Sequence, residues 1–163
     1  MLLGVVSDTH NRVDNIEKII DIFNLNQVDC VVHTGDITQS KSLQRFSRLN
    51  SSLIVVYGNN DLKEIGLKET SLENGFDLNL PPLIRNLEDK KVAIFHEPYG
   101  IEEIIKNDPS IDLILHGHTH KYRNEEINGV KIFNPGESAG MLKGKNAVGL
   151  VRLKNLEIKR IFF

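Results

Sequence analysis

Apolar and polar positions follow two alternating periods along the first half of the chain. Leu2–Ser7 is a short apolar run rich in β-branched residues. Val13, Ile16, Ile19, Ile20 and Phe23 then recur at the spacing of one helix face through Leu25, so a strand followed by a helix is predicted. Val28–His33 reads as a buried strand, Leu43, Phe46 and Leu49 as a second helical face, and Leu53–Tyr57 as a third strand. This βαβαβ order predicts a right-handed parallel sheet. Residues 62–80 carry no clear period. After Pro81-Pro82, Leu83–Leu87 and Val92–Phe95 flank the polar stretch EDKK as a hairpin, and Ile101–Ile105 forms a short amphipathic helix closed before Pro109. Leu113–His116 predicts a further strand. Asn128-Gly129 is the favoured pair for a two-residue turn joining Lys121–Ile127 to Val130–Phe133, and Ala147–Leu153 with Leu156–Phe162 makes a last hairpin.

With 163 residues and 40% hydrophobic content, a single domain spanning 1–163 is expected. The 20 basic side chains against 22 acidic ones leave a net charge of −2 with no block of like charge, so the electrostatic footprint of a long nucleic acid is absent. Cys30 has no partner for a disulfide and sits in VDCVVH, where a small hydrophobe suits. The opening MLLGVVSD lacks a basic segment and reaches Asp8 too soon for a signal peptide. No run approaches about 18 consecutive apolar residues, so a cytoplasmic location without membrane contact is expected.

The stretch DLILHGHTHK holds His116, His118 and His120, half of the 6 histidines in the chain. Residues i and i+2 diverge on a helix but align on a strand or can be turned together by a loop, which fits a strand ending near Gly117. The other strands are punctuated alike: the first by SDTH (Asp8, His10), the second by TGD (Asp36), the third by YGNND (Asn59) and the fourth by FHE (His96). In an open α/β sheet, groups at the carboxyl ends of strands meet at one rim. Four imidazoles, two carboxylates and one amide without a thiolate suit Mn, Fe, Co, Ni or Zn, and they exceed what one structural zinc needs. They fit two divalent ions about 3.5–4 Å apart that share a carboxylate, polarise a phosphoryl oxygen and lower the pKa of a bridging water.

Taken singly, each piece has a duller explanation: Asp36 caps a helix, GNND is an ordinary turn, and an isolated His is a core residue. Those explanations do not account for so many strand ends punctuated in the same way. His33 and His116 lie inside apolar strands just before better candidates and are read as core residues that at most support a ligand from behind. GESAG, residues 136–140, matches the G-x-S-x-G of a nucleophile elbow. The following MLKGKNAVG has no helical period, however, and every histidine precedes Ser138, so a serine hydrolase is disfavoured. GMLKGK likewise misses the spacing of a P-loop.

The ordered series DTH, GD, GNND, a strand-ending His and GHTH, continued by NPGESAG, resembles the calcineurin-like metallophosphoesterase superfamily, and within it the small single-domain phosphodiesterases of archaea and bacteria. The resemblance spans residues 5–140. It implies an α/β fold in which a β-sandwich is flanked by helices on both outer faces, a four-layer α/β/β/α arrangement with the metal site at the C-terminal ends of strands. It also implies that Asp8, His10 and His120 hold one metal, that Asn59, His96 and His118 hold the other, and that Asp36 bridges them. Mn or Ni is the expected pair of ions, with Fe, Co or Zn as alternatives. The implied activity is hydrolysis of small phosphate diesters by a hydroxide held between the metals, with Asp36, Asn59 and Asn60 as the candidate catalytic set. A phosphomonoesterase on the same site, or a non-catalytic protein-binding scaffold of the same fold, is the alternative. A homo-oligomer is left open.

Two positions depart from the family pattern. Asn60 stands where many members carry a His, and Asn cannot act as a general acid. His96-Glu97-Pro98 replaces a common His-Gly-His, which removes one imidazole and adds a carboxylate that would repel an anionic substrate. Arg12 and the backbone at Asn59–Asn60 are candidate phosphate contacts, and Asp61 is expected to orient Asn60 or to cap the next segment.

Overall fold

The alternation of strands and helices builds two sheets rather than one. In the computed structural model, which describes residues 1–163, the first sheet contains β1 (Leu2–Val6), β2 (Cys30–His33), β3 (Ser52–Val56) and β4 (Asp77–Asn79), all parallel. Between them run α1 (Val13–Leu25), α2 (Ser40–Arg45) with a 3-10 turn at Phe46–Arg48, and α3 (Leu67–Asn74). The second sheet takes β5 (Leu83–Leu87), β6 (Lys90–Ile94), β7 (Leu113–Leu115), β8 (Arg123–Ile127) and β9 (Val130–Asn134), with α4 (Ile101–Asn107) crossing from β6 to β7. The chain then returns to the first sheet through the antiparallel pair β10 (Ala147–Arg152) and β11 (Glu157–Phe162), giving the orders β11-β10-β1-β2-β3-β4 and β5-β6-β7-β9-β8.

Strand alternation decides which side chains fill which layer. Leu3, Val5, Val32, Ile94, Leu115 and Phe133 are fully buried between the two sheets. Val6, Val31 and Val55 turn the other way and meet Ile16, Ile19, Ile20 and Phe23 of α1. Burying such a side chain contributes about 1.5–3 kcal/mol, so this face of α1 supplies much of what anchors the helix. Gly4 is needed on that face, because a Cβ there would lie 2.7 Å from the Phe23 ring. On the opposite side, Ile101 and Ile105 of α4 cover Ala93, Ile114 and Ile132. The result is the four-layer helix–sheet–sheet–helix sandwich.

Several predicted bounds shift. Residues 62–80 contain α3 and β4; only Leu67 and Ser71 of α3 are buried, so its sequence shows no apolar stripe. In EDKK the turn is confined to Glu88-Asp89, with Glu88 at φ 52°, and both lysines belong to β6. Asn128 and Gly129 both adopt positive φ, 52° and 83°, as their two-residue turn requires. β7 ends at Leu115, which leaves His116 in the following loop. No helix is long and apolar enough to cross a membrane.

Parallel β1, β2 and β3 release their following loops at one edge of the sandwich, and β6 and β7 do so from the facing sheet. The loops are tied together there. The backbone N–H of Asp8 donates to Gly35 O at 3.1 Å, that of His10 to Asp36 O at 3.1 Å, and that of Gly117 to His96 O at 3.0 Å.

Candidate metal centre

All seven strand-end residues come together at this edge. Asp8, Asp36 and His96 form one group whose ligand atoms lie within 4.8 Å of one another, and Asp8, His10 and His120 form a second. His10 Nε2 stands 3.6 Å from Asp36 Oδ2, His96 Nε2 stands 3.4 Å from the same oxygen, and His120 Nε2 stands 3.5 Å from Asp8 Oδ1. One carboxylate oxygen of Asp36 thus lies between imidazoles that arrive from different loops. On the far side, Asn59 Oδ1 is 2.9 Å from His96 Nε2 and 3.0 Å from His118 Nδ1.

The backbone reaches this convergence through unusual conformations. Asp8, His10, Asp36, His118 and His120 have φ of 54°, 39°, 61°, 66° and 56°. For non-glycine residues the left-handed region costs on the order of 1 kcal/mol each and is populated where surrounding contacts enforce it. Two glycines allow the loops to close. A Cβ on Gly58 would overlap Asp36 Oδ1, and one on Gly117 would overlap Ser7 Oγ.

Residues behind the cluster hold it. Asp61, buried, accepts the backbone N–H groups of Asp36 at 2.8 Å, Gly58 at 2.7 Å and Thr38 at 2.6 Å. It therefore staples the loops after β2 and β3; its oxygens accept from these backbones, while the Asn60 amide hydrogen-bonds elsewhere. Asn60 instead turns onto Asp36, donating its backbone N–H to Oδ1 at 3.0 Å and its amide to Oδ2 at 2.7 Å. His96 Nδ1–H donates to Thr34 O at 2.8 Å, which fixes its tautomer with Nε2 directed at the cluster. Ser7 Oγ–H and the His118 N–H both donate to Asp8 Oδ2.

Glu137 was not anticipated. It is fully buried, accepts the N–H groups of Met141 at 3.0 Å and Leu142 at 2.6 Å, and brings Oε2 to 3.7 Å from His120 Nδ1. The only sequence signal was its place inside GESAG, where the eye goes to the serine. Ser138 is itself buried and donates to Ala147 O at 3.3 Å, so it has no imidazole to activate it. His33 and His116 stay outside the cluster. His33 links Thr9 Oγ1 at 3.1 Å to the Gly35 N–H at 3.1 Å, and His116 Nδ1 meets Gly117 O at 3.1 Å. Arg12 is exposed at the start of α1, and Glu97 Oε1 lies 3.9 Å from His118 Nε2.

The electrostatics follow from burial and partners. Burial pushes the Asp8 carboxyl above its ordinary value despite the Ser7 hydrogen bond. Burial acts on Asp36 in the same sense, but His96 and the two Asn60 donors outweigh it and hold this carboxylate well below the usual range. His96 shows the reciprocal effect: burial lowers its pKa, while Asp36 overcompensates and raises it. Burial leaves His33 at about 3 and His116 at about 4, so both are neutral near pH 7.

The donor set fits divalent cations. Two buried polar atoms of the cluster, Asp8 Oδ1 and His10 Nε2, have no hydrogen-bond partner, and both face the shared space. An orphaned buried lone pair is costly unless something electropositive satisfies it.

The sequence matches the calcineurin-like phosphoesterase superfamily domain over residues 1–156. The chain belongs to that superfamily. Among its relatives in the superfamily is the protein named phosphodiesterase MJ0936 from Methanocaldococcus jannaschii, 33% identical over 99% of this chain and 98% of that one. A solved structure described as a novel archaeal phosphodiesterase superposes with a TM-score of 0.91 at 32% identity, covering 100% of both chains. Vps29 of Entamoeba histolytica, solved in complex with zinc, shares the fold with a TM-score of 0.69 at 19% identity over 100% of this chain and 98% of that one. Superfamily membership places the chain among hydrolases of phosphoesters that use divalent metal ions.

Proposed function

We propose that the chain is a dinuclear metal-dependent phosphodiesterase, acting as a single domain over 1–163 on small phosphodiesters in the cytoplasm. The observation that carries this reading is the pair of unpartnered buried atoms, Asp8 Oδ1 and His10 Nε2, beside an Asp36 oxygen that lies between imidazoles of two clusters. Asp8, His10 and His120 would hold one ion and Asn59, His96 and His118 the other, with Asp36 available to both. When bound, the ions supply Lewis acidity at a phosphoryl oxygen and acidify a water for in-line attack. The chain's own groups do the positioning. Asn60 clamps both Asp36 oxygens, Thr34 O holds the His96 tautomer, and the burial of Asp8, Asp36 and His96 strengthens the charge interactions they make.

The imidazole-rich donor set favours Mn or Ni over Mg, which prefers oxygen ligands and retains its waters. Glu97 beside His118 disfavours the second negative charge of a monoester, so diesters are preferred. Metal analysis of the purified protein, followed by a phosphoester panel with and without chelator, tests the reading. About two ions per chain, loss of turnover on chelation, and better recovery with Mn or Ni than with Mg are expected. Full turnover in excess chelator would overturn the metal mechanism. A protein that binds no metal and hydrolyses no ester would leave the scaffold alternative.

A further inference from the structure

The two flanks of the metal cluster differ in chemistry. Beyond His10, without reaching the cluster residues, a groove of about 360 Å³ is polar, lined by Asn11, Arg12, Asp14, Asn15 and Asn146 among others. On the other side, a groove of about 580 Å³ begins at Asn59 and His96 themselves and runs away from the cluster between Tyr57, Leu62, Leu80, Phe95, Tyr99 and Ile104. Its polar rim carries Glu97 and Glu103, and no lysine or arginine lines it. Tyr99 is 71% exposed, Leu62 62% and Leu80 65%, an arrangement that leaves apolar surface open to solvent directly beside charged groups. The Tyr99 ring is edge-on to His118, with centroids 6.1 Å apart, so the groove wall is continuous with the cluster.

We infer that this groove is a specificity subsite for one ester arm of the substrate, and that the arm it takes is aromatic and uncharged. The inference rests on the phosphodiesterase reading, which places phosphorus over the cluster. The groove that opens at Asn59 and His96 gives one substituent of a diester held there room to extend. The open apolar walls gain by covering a flat ring, and aromatic faces add edge or stacking contacts. The two carboxylates at the rim repel an anionic arm that reaches past the cluster, and no lysine or arginine among the lining residues offsets them. Tyr99 is the specificity-determining residue, because it is the most exposed of the apolar wall residues and its ring meets that of His118.

Competition against bis(p-nitrophenyl) phosphate hydrolysis by the metal-loaded protein tests this. The probes are dimethyl phosphate, benzyl methyl phosphate and 4-carboxybenzyl methyl phosphate, whose alkyl esters are poor leaving groups. Benzyl methyl phosphate is expected to inhibit about 10-fold more tightly than dimethyl phosphate, and the carboxylated probe to lose that gain. Tyr99→Ala should reduce the benzyl advantage to about 3-fold or less, Tyr99→Phe should keep it, and Glu97→Gln should improve the carboxylated probe relative to the benzyl one. Equal inhibition by all three probes, with reporter turnover intact, overturns the subsite and leaves the phosphodiesterase reading standing. No reporter hydrolysis by protein with its metals bound defeats that reading, and the subsite with it.

Discussion

Replacing Asp61 by Asn changes one atom type in a buried carboxylate and should loosen two loops at once. In the native protein Oδ2 accepts from Asp36 N–H at 2.8 Å and Gly58 N–H at 2.7 Å, while Oδ1 accepts from Thr38 N–H at 2.6 Å. The best placement of an amide keeps its carbonyl toward Asp36 and Gly58 and turns its NH2 toward Thr38, leaving that N–H unpaired. An unsatisfied buried donor costs about 1–3 kcal/mol, and the two remaining bonds each fall from charge-assisted to neutral strength, about 1 kcal/mol less apiece. The expected loss is about 3–5 kcal/mol, or about 6–20 °C in Tm for a chain of this size. Because the same bonds fix Asp36, turnover of the metal-loaded variant should fall at least about 10-fold, since small misplacements of reacting groups are expensive. Denaturant titration, chelator competition for the metals and diester turnover read the three effects separately. If stability falls as expected while metal affinity and turnover stay native, Asp36 is held without Asp61 and the two are not coupled; if stability is unchanged, Asp61 does not staple the loops.

Glu137→Gln should lower metal affinity about 10–100-fold in chelator competition, the range for losing a carboxylate that supports a ligating imidazole. Native affinity in that variant would confine Glu137 to bracing the Met141–Leu142 backbone. Acid should destabilise the metal-stripped protein. The folded pKa values of His33 and His116, about 3 and about 4, lie below the unfolded value near 6.5. The unfolded chain therefore binds protons first as pH falls, so stability present above about pH 6.5 is lost toward pH 4, by about 2–3 kcal/mol per group at pH 4.5. A urea midpoint that does not move between pH 7.5 and 4.5, or a His116→Gln variant with an undiminished pH dependence, would contradict this.

Residue type and strand period made the convergence of the cluster legible. Asp8, His10, Asp36, Asn59, His96, His118 and His120 each follow an apolar run, and parallel strands bring such ends to one edge whatever their separation in sequence. What stayed hidden depends on backbone donors. Nothing in NND shows that Asp61 will collect N–H groups from positions 36, 38 and 58, and nothing in GESAG shows that its glutamate faces a loop needing an acceptor. The second sheet was equally invisible to the βαβ pattern alone, since β6 and β7 share their local period with β1 and β2. Helix α3 escaped because it buries little more than Leu67 and Ser71 and so carries no stripe.

Asn60 shows why a departure from a family pattern should be read with its neighbours. As a substitute for an imidazole it is deficient, having no titratable proton to give a leaving oxygen. In place, it donates twice to Asp36, at 3.0 and 2.7 Å, and helps hold that carboxylate ionised against the cost of its burial. The same logic covers the five left-handed residues of the cluster. Their conformations are individually unfavourable, by on the order of 1 kcal/mol each, and isolated loops would relax out of them. They persist because Asp61, Glu137, Asn60 and the close approaches at Gly58 and Gly117 leave the loops no relaxed alternative. Strain at the cluster and satisfaction directly behind it are one arrangement. A variant that relieves the first by breaking the second should gain nothing in stability and lose the geometry on which metal binding depends.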